Sequence, residues 1–425
     1  MFSLGLVILC IISLINPISC YIPEPRMGHS SLVIQNHLLV LGGWKNSSFT
    51  TKKYTDEIFY LNLAQKFDGA NPLWEIVLGG NLPLYSYYSA SFVSTLDDNI
   101  IYLIGGYMKN ITTGVNDFSN LIYMYNYSSH KWTAPDVGSV TPRQEIVGLI
   151  NDKGIVYIFG GFNVTNDTAF DGTYYNDMRI FNVSSMELSS LSITQNLPSP
   201  CSAYTANLLK NGIIVYFGGL EADFEAVYPS LSWKLLNFTT LKLFDTIKAE
   251  WSYMTPIGAE SVDSRFWHTT ILNTRGEIIL FGGCLPNYTR INTKLAILNT
   301  NKDIYEWRIP SLSNSPPYLY GHSANLHGDY MIITFGHDMD NSIMSSRIYL
   351  FDVNQYTWVT TYTPPPVTTV LTNNSASKKS KALEIGLGVG VGGVLIILAS
   401  IGVIFFKKRE TKSNTPILEI ASSEI

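Results

Sequence analysis

A short apolar strand running into a glycine pair recurs along the chain, and this recurrence constrains the fold more than any other feature. It reads Leu39-Val40-Leu41-Gly42-Gly43, Tyr102-Leu103-Ile104-Gly105-Gly106 and Tyr157-Ile158-Phe159-Gly160-Gly161. It returns as Val215-Tyr216-Phe217-Gly218-Gly219 and Ile279-Leu280-Phe281-Gly282-Gly283. A sixth copy, Ile333-Thr334-Phe335-Gly336-His337, reads as having lost its second glycine, and the first glycines then stand 63, 55, 58, 64 and 54 residues apart. Downstream in each copy a second strand ends in Asn62, Asn126, Asn182, Asp245, Asn299 or Asp352. Trp74, Trp132, Trp251, Trp307 and Trp358 follow in five copies, and Leu188 stands at the matching distance in the third. Upstream, alternating segments open with Arg26-Met27-Gly28-His29, Arg265-Phe266-Trp267-His268 or Tyr320-Gly321-His322. Turn signals such as Asn211-Gly212 separate them from the glycine strand.

Each copy therefore holds four short strands joined as an up-and-down meander. Paired glycines let the chain leave a packed strand through positive φ without a Cβ clash. Asn or Asp after an apolar strand starts a turn by bonding nearby backbone, and one large Trp per copy fills space between adjacent sheets. A lone four-stranded sheet cannot bury both faces, so the copies must pack around an axis. A two-sheet sandwich would not produce a glycine pair at such intervals. Over residues 26–358 the pattern resembles kelch repeats, the family also related to the galactose oxidase propeller. The expected fold is all-β, a six-bladed kelch-type β-propeller over residues 21–360. How the ring closes is not readable, because the copies start and end in phase.

Both flanks carry membrane signals. Phe2 to Ile15 is almost wholly apolar and runs through Asn16-Pro17 into Ser19-Cys20, which reads as a signal peptide over residues 1–20. Residues 385–406 are free of charge and long enough to span a bilayer as one α-helix. Lys407-Lys408-Arg409 follows, placing the 407–425 tail in the cytosol and the N-terminus outside. Between propeller and helix, residues 361–384 are rich in Thr, Pro and Ser and read as a stalk. The expected product is a single-pass type I protein at the cell surface. Gly386/Gly390 and Gly388/Gly392 form small-xxx-small pairs that would permit a helix-mediated homodimer.

Charged residues make up only 14% of the chain, against about 25% in an average soluble domain. The net charge of −5 gives no basic surface for nucleic acid. Solubility is expected instead from glycans. Nine Asn-x-Ser/Thr acceptors, at Asn46, Asn110, Asn126, Asn163, Asn166, Asn182, Asn237, Asn287 and Asn373, all fall between the two hydrophobic segments. Cys201 and Cys284, opening the fourth copy and following the fifth glycine pair, are either a disulfide between adjacent blades or two buried thiols.

In such a meander the loops after each glycine pair share one face with the links between copies. These loops, residues 44–57, 107–120, 162–177, 220–240, 284–293 and 338–346, are long and unequal. Binding concentrates on loops of this kind. Their aromatics, among them Trp44, Tyr107, Phe162, Tyr174, Tyr175, Phe224, Trp233 and Tyr288, are expected to form a rim that binds an extracellular or lumenal protein or carbohydrate. Six of the nine acceptors lie on the same loops, so glycans would shield part of that face. The alternative is a structural adhesion or cell-wall protein.

His29, His268 and His322 occupy equivalent positions in copies one, five and six, which neighbour one another in a closed ring. No closely spaced second ligand accompanies them, so they read as part of the repeat signature rather than as a metal site. The resemblance to galactose oxidase implies a second alternative, a copper-radical oxidase with a Tyr–Cys cross-link, a second Tyr and two His. None of those ligands maps residue by residue onto this chain. The expectation is a recognition protein, not an enzyme, with no catalytic residue, metal or cofactor.

Overall fold

The structure, a computed structural model, describes residues 21–45, 53–138, 140–166, 171–223 and 233–366. The signal peptide, Asn46, Phe224, Asn373, most of the stalk, the 385–406 segment with its glycine pairs and the tail lie outside these residues.

Each copy forms one antiparallel sheet of four consecutive strands, and the described residues hold six such sheets. The first is built from Ser30–Ile34, His37–Leu41, Ile58–Asn62 and Trp74–Ile76. The sixth repeats that order with Ser323–His327, Tyr330–Thr334, Ile348–Asp352 and Thr357–Val359. The strand-ending Asn and Asp residues act as the sequence suggests. Asn62, Asn182, Asp245, Asn299 and Asp352 each accept the backbone N–H two residues on, at 2.9–3.0 Å. Asn126 accepts that of Ser129 at 2.9 Å. Leu188 pairs with Phe181 as Trp251 pairs with Phe244, so it does fill the tryptophan position of the third copy.

Apolar clusters form between consecutive sheets, and one of them joins the sixth to the first. That cluster holds Leu38, Phe59 and Trp74 of copy one with Ile332, Phe335 and Leu350 of copy six. The other inter-sheet clusters follow the same rule, and the first strands of the six sheets neighbour one another in cyclic order. The tryptophans reach back to the preceding sheet, where Trp251 meets Phe159 at 4.6 Å and Trp358 meets Phe281 at 5.3 Å between ring centroids.

The glycine pairs join the sheets through the backbone. The second glycine donates to the next copy: Gly43 to Ser86 at 2.9 Å, Gly106 to Arg143 at 2.8 Å, Gly161 to Cys201 at 2.9 Å and Gly219 to Arg265 at 2.9 Å. Gly283 donates to Leu319 at 2.8 Å, and Gly336 closes the circle by donating to Arg26 at 2.9 Å. The last bond corrects the reading of the sixth copy. Its glycine strand ends at Thr334, so the first glycine is the one replaced, by Phe335 at φ 58, and Gly336 at φ 92 is the retained second.

Among the described residues no strand is exchanged at closure. Thr361–Tyr362, beyond the last sheet, pairs with Phe67–Asp68, which lies in an enlarged connection within copy one. The Tyr362 ring is fully buried and stacks on Phe67 at 4.8 Å. Its hydroxyl donates to the Leu63 carbonyl at 2.9 Å.

Candidate binding site at the axis of the ring

The segment that opens each copy enters its sheet at the end of the axis where the glycine pairs leave. Its third residue is Gly28, Tyr88, Glu145, Ala203, Trp267 or Gly321, and all six lie at positive φ, between 53° and 64°. Their backbones link into a belt around the axis. Tyr88 N–H donates to Gly28 at 2.7 Å, Glu145 to Tyr88 at 3.2 Å and Ala203 to Glu145 at 3.0 Å. Gly321 donates to Trp267 at 3.1 Å and Gly28 to Gly321 at 2.9 Å.

Three of these six positions carry large side chains at the axis. The Tyr88 and Trp267 rings, from copies two and five, stack across it at 4.9 Å with 14° between their planes. Trp267 Nε1 donates to Glu145 Oε1 at 3.3 Å, and Ser202 Oγ donates to Glu145 Oε2 at 2.9 Å. Beneath them is a cavity of about 170 Å³ whose lining includes Tyr88, Glu145, Trp267, His29, His268 and His322.

The three histidines bridge neighbouring sheets. His268 Nε2 bonds Thr205 at 2.9 Å, His322 Nε2 bonds Thr269 at 2.9 Å, and His29 Nε2 bonds Ser323 at 2.8 Å. Each partner belongs to the preceding copy. Burial holds all three imidazoles below their ordinary pKa, His322 at about 3, so they are neutral at physiological pH. Among the described residues no three His, Cys, Asp or Glu side chains converge as a metal site.

The post-glycine segments, read from sequence as loops, largely form a second layer of short hairpins. Trp44–Lys45 pairs with both Arg26–Met27 and Lys53–Tyr54. Tyr107–Lys109 pairs with Tyr85–Tyr87, and Phe162–Asn166 with Asp171–Tyr174. This folding corrects the expected aromatic rim. Trp44, Tyr107 and Phe162 are buried at 2%, 6% and 4% exposure, because the hairpins fold them inward. Tyr87 stacks between Tyr107 at 4.7 Å and Trp44 at 6.0 Å. Tyr174 is half-buried against Phe162, and half-buried Tyr175 lies against the Arg143 guanidinium at 4.5 Å. Of the named aromatics within the described residues, only Trp233 and Tyr288 are exposed, at 38% and 40%.

Cys201 and Cys284 are free, buried thiols, and the disulfide alternative is not formed. They sit in different apolar clusters, Cys201 with Tyr204 and Trp251, Cys284 with Phe266 and Tyr320. Burial raises both thiol pKa values, Cys201 to about 11, which keeps them protonated. Asn110 and Asn163 are half-exposed and Asn237 and Asn287 exposed on the axial-site side, whereas Asn126 and Asn182 end strands on the opposite side.

The axial trio Tyr88, Glu145 and Trp267 was missed by sequence reasoning. A signal for it exists, since aligning the opening segments on Gly28 and Gly321 marks the third position in every copy.

Residues 14–219 match a family model described as the KLHDC2/KLHL20/DRC7 Kelch-repeats domain. Kelch domain-containing protein 3 of Rattus norvegicus is 24% identical over 263 residues, 61% of this chain. The chain spans 64% of that relative's length. Tip elongation aberrant protein 1 of Schizosaccharomyces pombe is 30% identical over 215 residues, 50% of this chain and 17% of that protein. In fold, the chain is similar to the solved structure of YjhT, with a TM-score of 0.56 and 13% identity over 79% of this chain and 97% of that one. The chain is thus similar to kelch-repeat proteins over residues 14–219, and its described residues fold as a β-propeller.

Proposed function

We propose that the chain is a single-pass type I cell-surface glycoprotein whose six-bladed propeller recognises a protein partner on the face that holds the axial cavity, without catalysis. The observation that carries this reading is the axial trio. In three copies Gly or Ala occupies the positive-φ position. In the other three, Tyr, Glu and Trp occupy it, although a left-handed backbone costs a non-glycine residue about 1–2 kcal/mol. The belt needs only the backbone there; the Tyr88 and Trp267 rings pack on the apolar cluster that holds Met27 and Tyr320, and together with the Glu145 carboxylate they line the axial cavity that recognition would use. The signal-peptide pattern, the uncharged 385–406 segment and the distribution of acceptor asparagines support export and anchoring.

Double variants on the two ends of the ring test the reading. Trp233→Ser with Tyr288→Ser alters the axial side, and Ile247→Ser with Ile304→Ser alters exposed turn residues on the opposite side. The labelled full chain in lipid nanodiscs is applied to cells and extracellular matrix of the source organism. The expected result is roughly a tenfold loss of binding for the first pair and none for the second. The reverse pattern moves recognition to the opposite face, and binding abolished by glycosidase treatment of the target makes the ligand a glycan.

A further inference from the structure

Away from the ring axis, two hollows of about 590 Å³ and 440 Å³ lie against copy six. Both are lined by Asn314, Pro316, Arg347 and Tyr349, so they form one cleft. Sites for small ligands usually measure about 300–1,000 Å³. One wall is the Asn314-Ser315-Pro316-Pro317 link from copy five, and another is the copy-six hairpin that follows Gly336. The far end is closed by Asp68–Ala70, in the connection of copy one that has no repeat counterpart, where Gly69 N–H donates to the Thr360 carbonyl at 2.8 Å. The walls are braced from within. The buried Asp338 carboxylate accepts the Asp340 and Asn341 N–H groups at 2.9 and 3.1 Å. Asp340 pairs with Arg290 at 3.0 Å, and Lys294 donates to the Pro316 carbonyl.

The chemistry of the cleft selects its ligand. Tyr349 is half-buried where the two hollows meet, and no ring stacks on it among the described residues. Asn314, Asn341, Ser346 and Arg347 are exposed along the lining and together both donate and accept hydrogen bonds. Carboxylates and a guanidinium share the lining, so a ligand of either net charge meets opposition. We propose that this cleft binds a short neutral oligosaccharide, at a site separate from the axial face. A sugar ring has an apolar C–H face, which the Tyr349 ring takes, and a rim of hydroxyls that each donate and accept. Asn314, Asn341 and Arg347 bond those hydroxyls, and the length of the cleft admits a chain of sugar units. An extended peptide instead pairs with a row of free backbone groups, whereas the polar groups offered here are side chains.

The experiment uses the full chain in lipid nanodiscs, treated with endoglycosidase so that no glycan of its own competes, and saturation-transfer NMR. The probes are cellotriose, laminaritriose, chitotriose and mannotriose, with hexaproline as the peptide counterpart. At least one trisaccharide is expected to bind saturably, and hexaproline not to bind. Arg347→Ala removes a charged donor and is expected to weaken that sugar about tenfold. Ser346→Trp fills the cleft and is expected to abolish binding. Both positions are exposed, so the melting temperature should stay unchanged in each variant. The Trp233/Tyr288 double variant, altered on the axial side, should bind the sugar as the wild type does. The proposal is overturned if no trisaccharide saturates, if hexaproline binds in their place, or if Ser346→Trp binds the sugar unchanged. Loss of sugar binding in the Trp233/Tyr288 variant also overturns it, by placing the site on the axial face. Sugar binding as expected, alongside cell binding that survives the Trp233/Tyr288 change, upholds the cleft and leaves only the axial recognition role to fail.

Discussion

Gly105→Ala is expected to destabilise the propeller by at least about 3 kcal/mol, far beyond the ordinary cost of replacing a glycine. Gly105 sits at φ +62, and a Cβ there would lie 2.4 Å from the Arg143 carbonyl oxygen and 2.8 Å from Ile146 Cδ1. Both atoms belong to the next copy. The same carbonyl accepts the Gly106 N–H at 2.8 Å, so backbone cannot retreat without breaking an inter-sheet bond. Gly79 supplies the control, with φ +73 and nothing within 4 Å of its built Cβ. Gly79→Ala should therefore show the backbone term alone, about 1 kcal/mol. Denaturant midpoints of the two variants measure the difference, and equal midpoints would mean that close approach between copies is not what the glycine pair provides.

The second large effect is expected at the clasp. Tyr362→Ala removes a fully buried ring that stacks on Phe67 and should cost about 3–5 kcal/mol. Tyr362→Phe keeps the ring and loses only the bonds to the Leu63 carbonyl at 2.9 Å and to His327 at 2.7 Å, for about 1–2 kcal/mol. The ordering follows from closure. Among the described residues no strand is shared between copies one and six, and the ring holds there through the apolar cluster, the Gly336 and Gly28 backbone bonds, the bonds of His29 and Ser31 to Ser323 and this two-residue pairing. Thermal unfolding that is as steep and as high for Tyr362→Ala as for the wild type would show the clasp to be dispensable.

Much of the architecture was legible because residue type and backbone role coincide. The Asn and Asp residues that close the third strands must bond the turn beyond them, and a sequence shows that directly. Leu188 could be aligned with the tryptophans because strand length fixed its distance. Phe335 was misread for the opposite reason. The repeat position is defined by positive φ, and a phenylalanine held there by Phe59, Trp74 and His29 looks like strand rather than turn. The buried fate of Trp44, Tyr107 and Phe162 was hidden because these loops pair as hairpins against the neighbouring opening segments, a long-range event that local pattern does not encode. Closure was hidden too, since the partner of Thr361–Tyr362 lies almost three hundred residues earlier, in an insertion without any repeat counterpart.

The axial trio lies between these cases. Its position is periodic and readable once the copies are aligned, but its meaning depends on the ring bringing residues from copies two, three and five to one axis. Tyr88 and Trp267 are 179 residues apart in sequence and stacked in space.

One measurement tests both export and recognition without catalysis. The full chain is purified from eukaryotic cells, its metal content determined, and its intact mass recorded before and after enzymatic removal of N-linked glycans. The expected result is a mature chain beginning near Tyr21, a large mass loss on deglycosylation, free thiols at Cys201 and Cys284, and no stoichiometric copper. A chain that retains Met1 and carries no glycan would contradict export, and bound copper with a mass about 2 Da low, the mark of a Tyr–Cys cross-link, would contradict recognition in favour of oxidation.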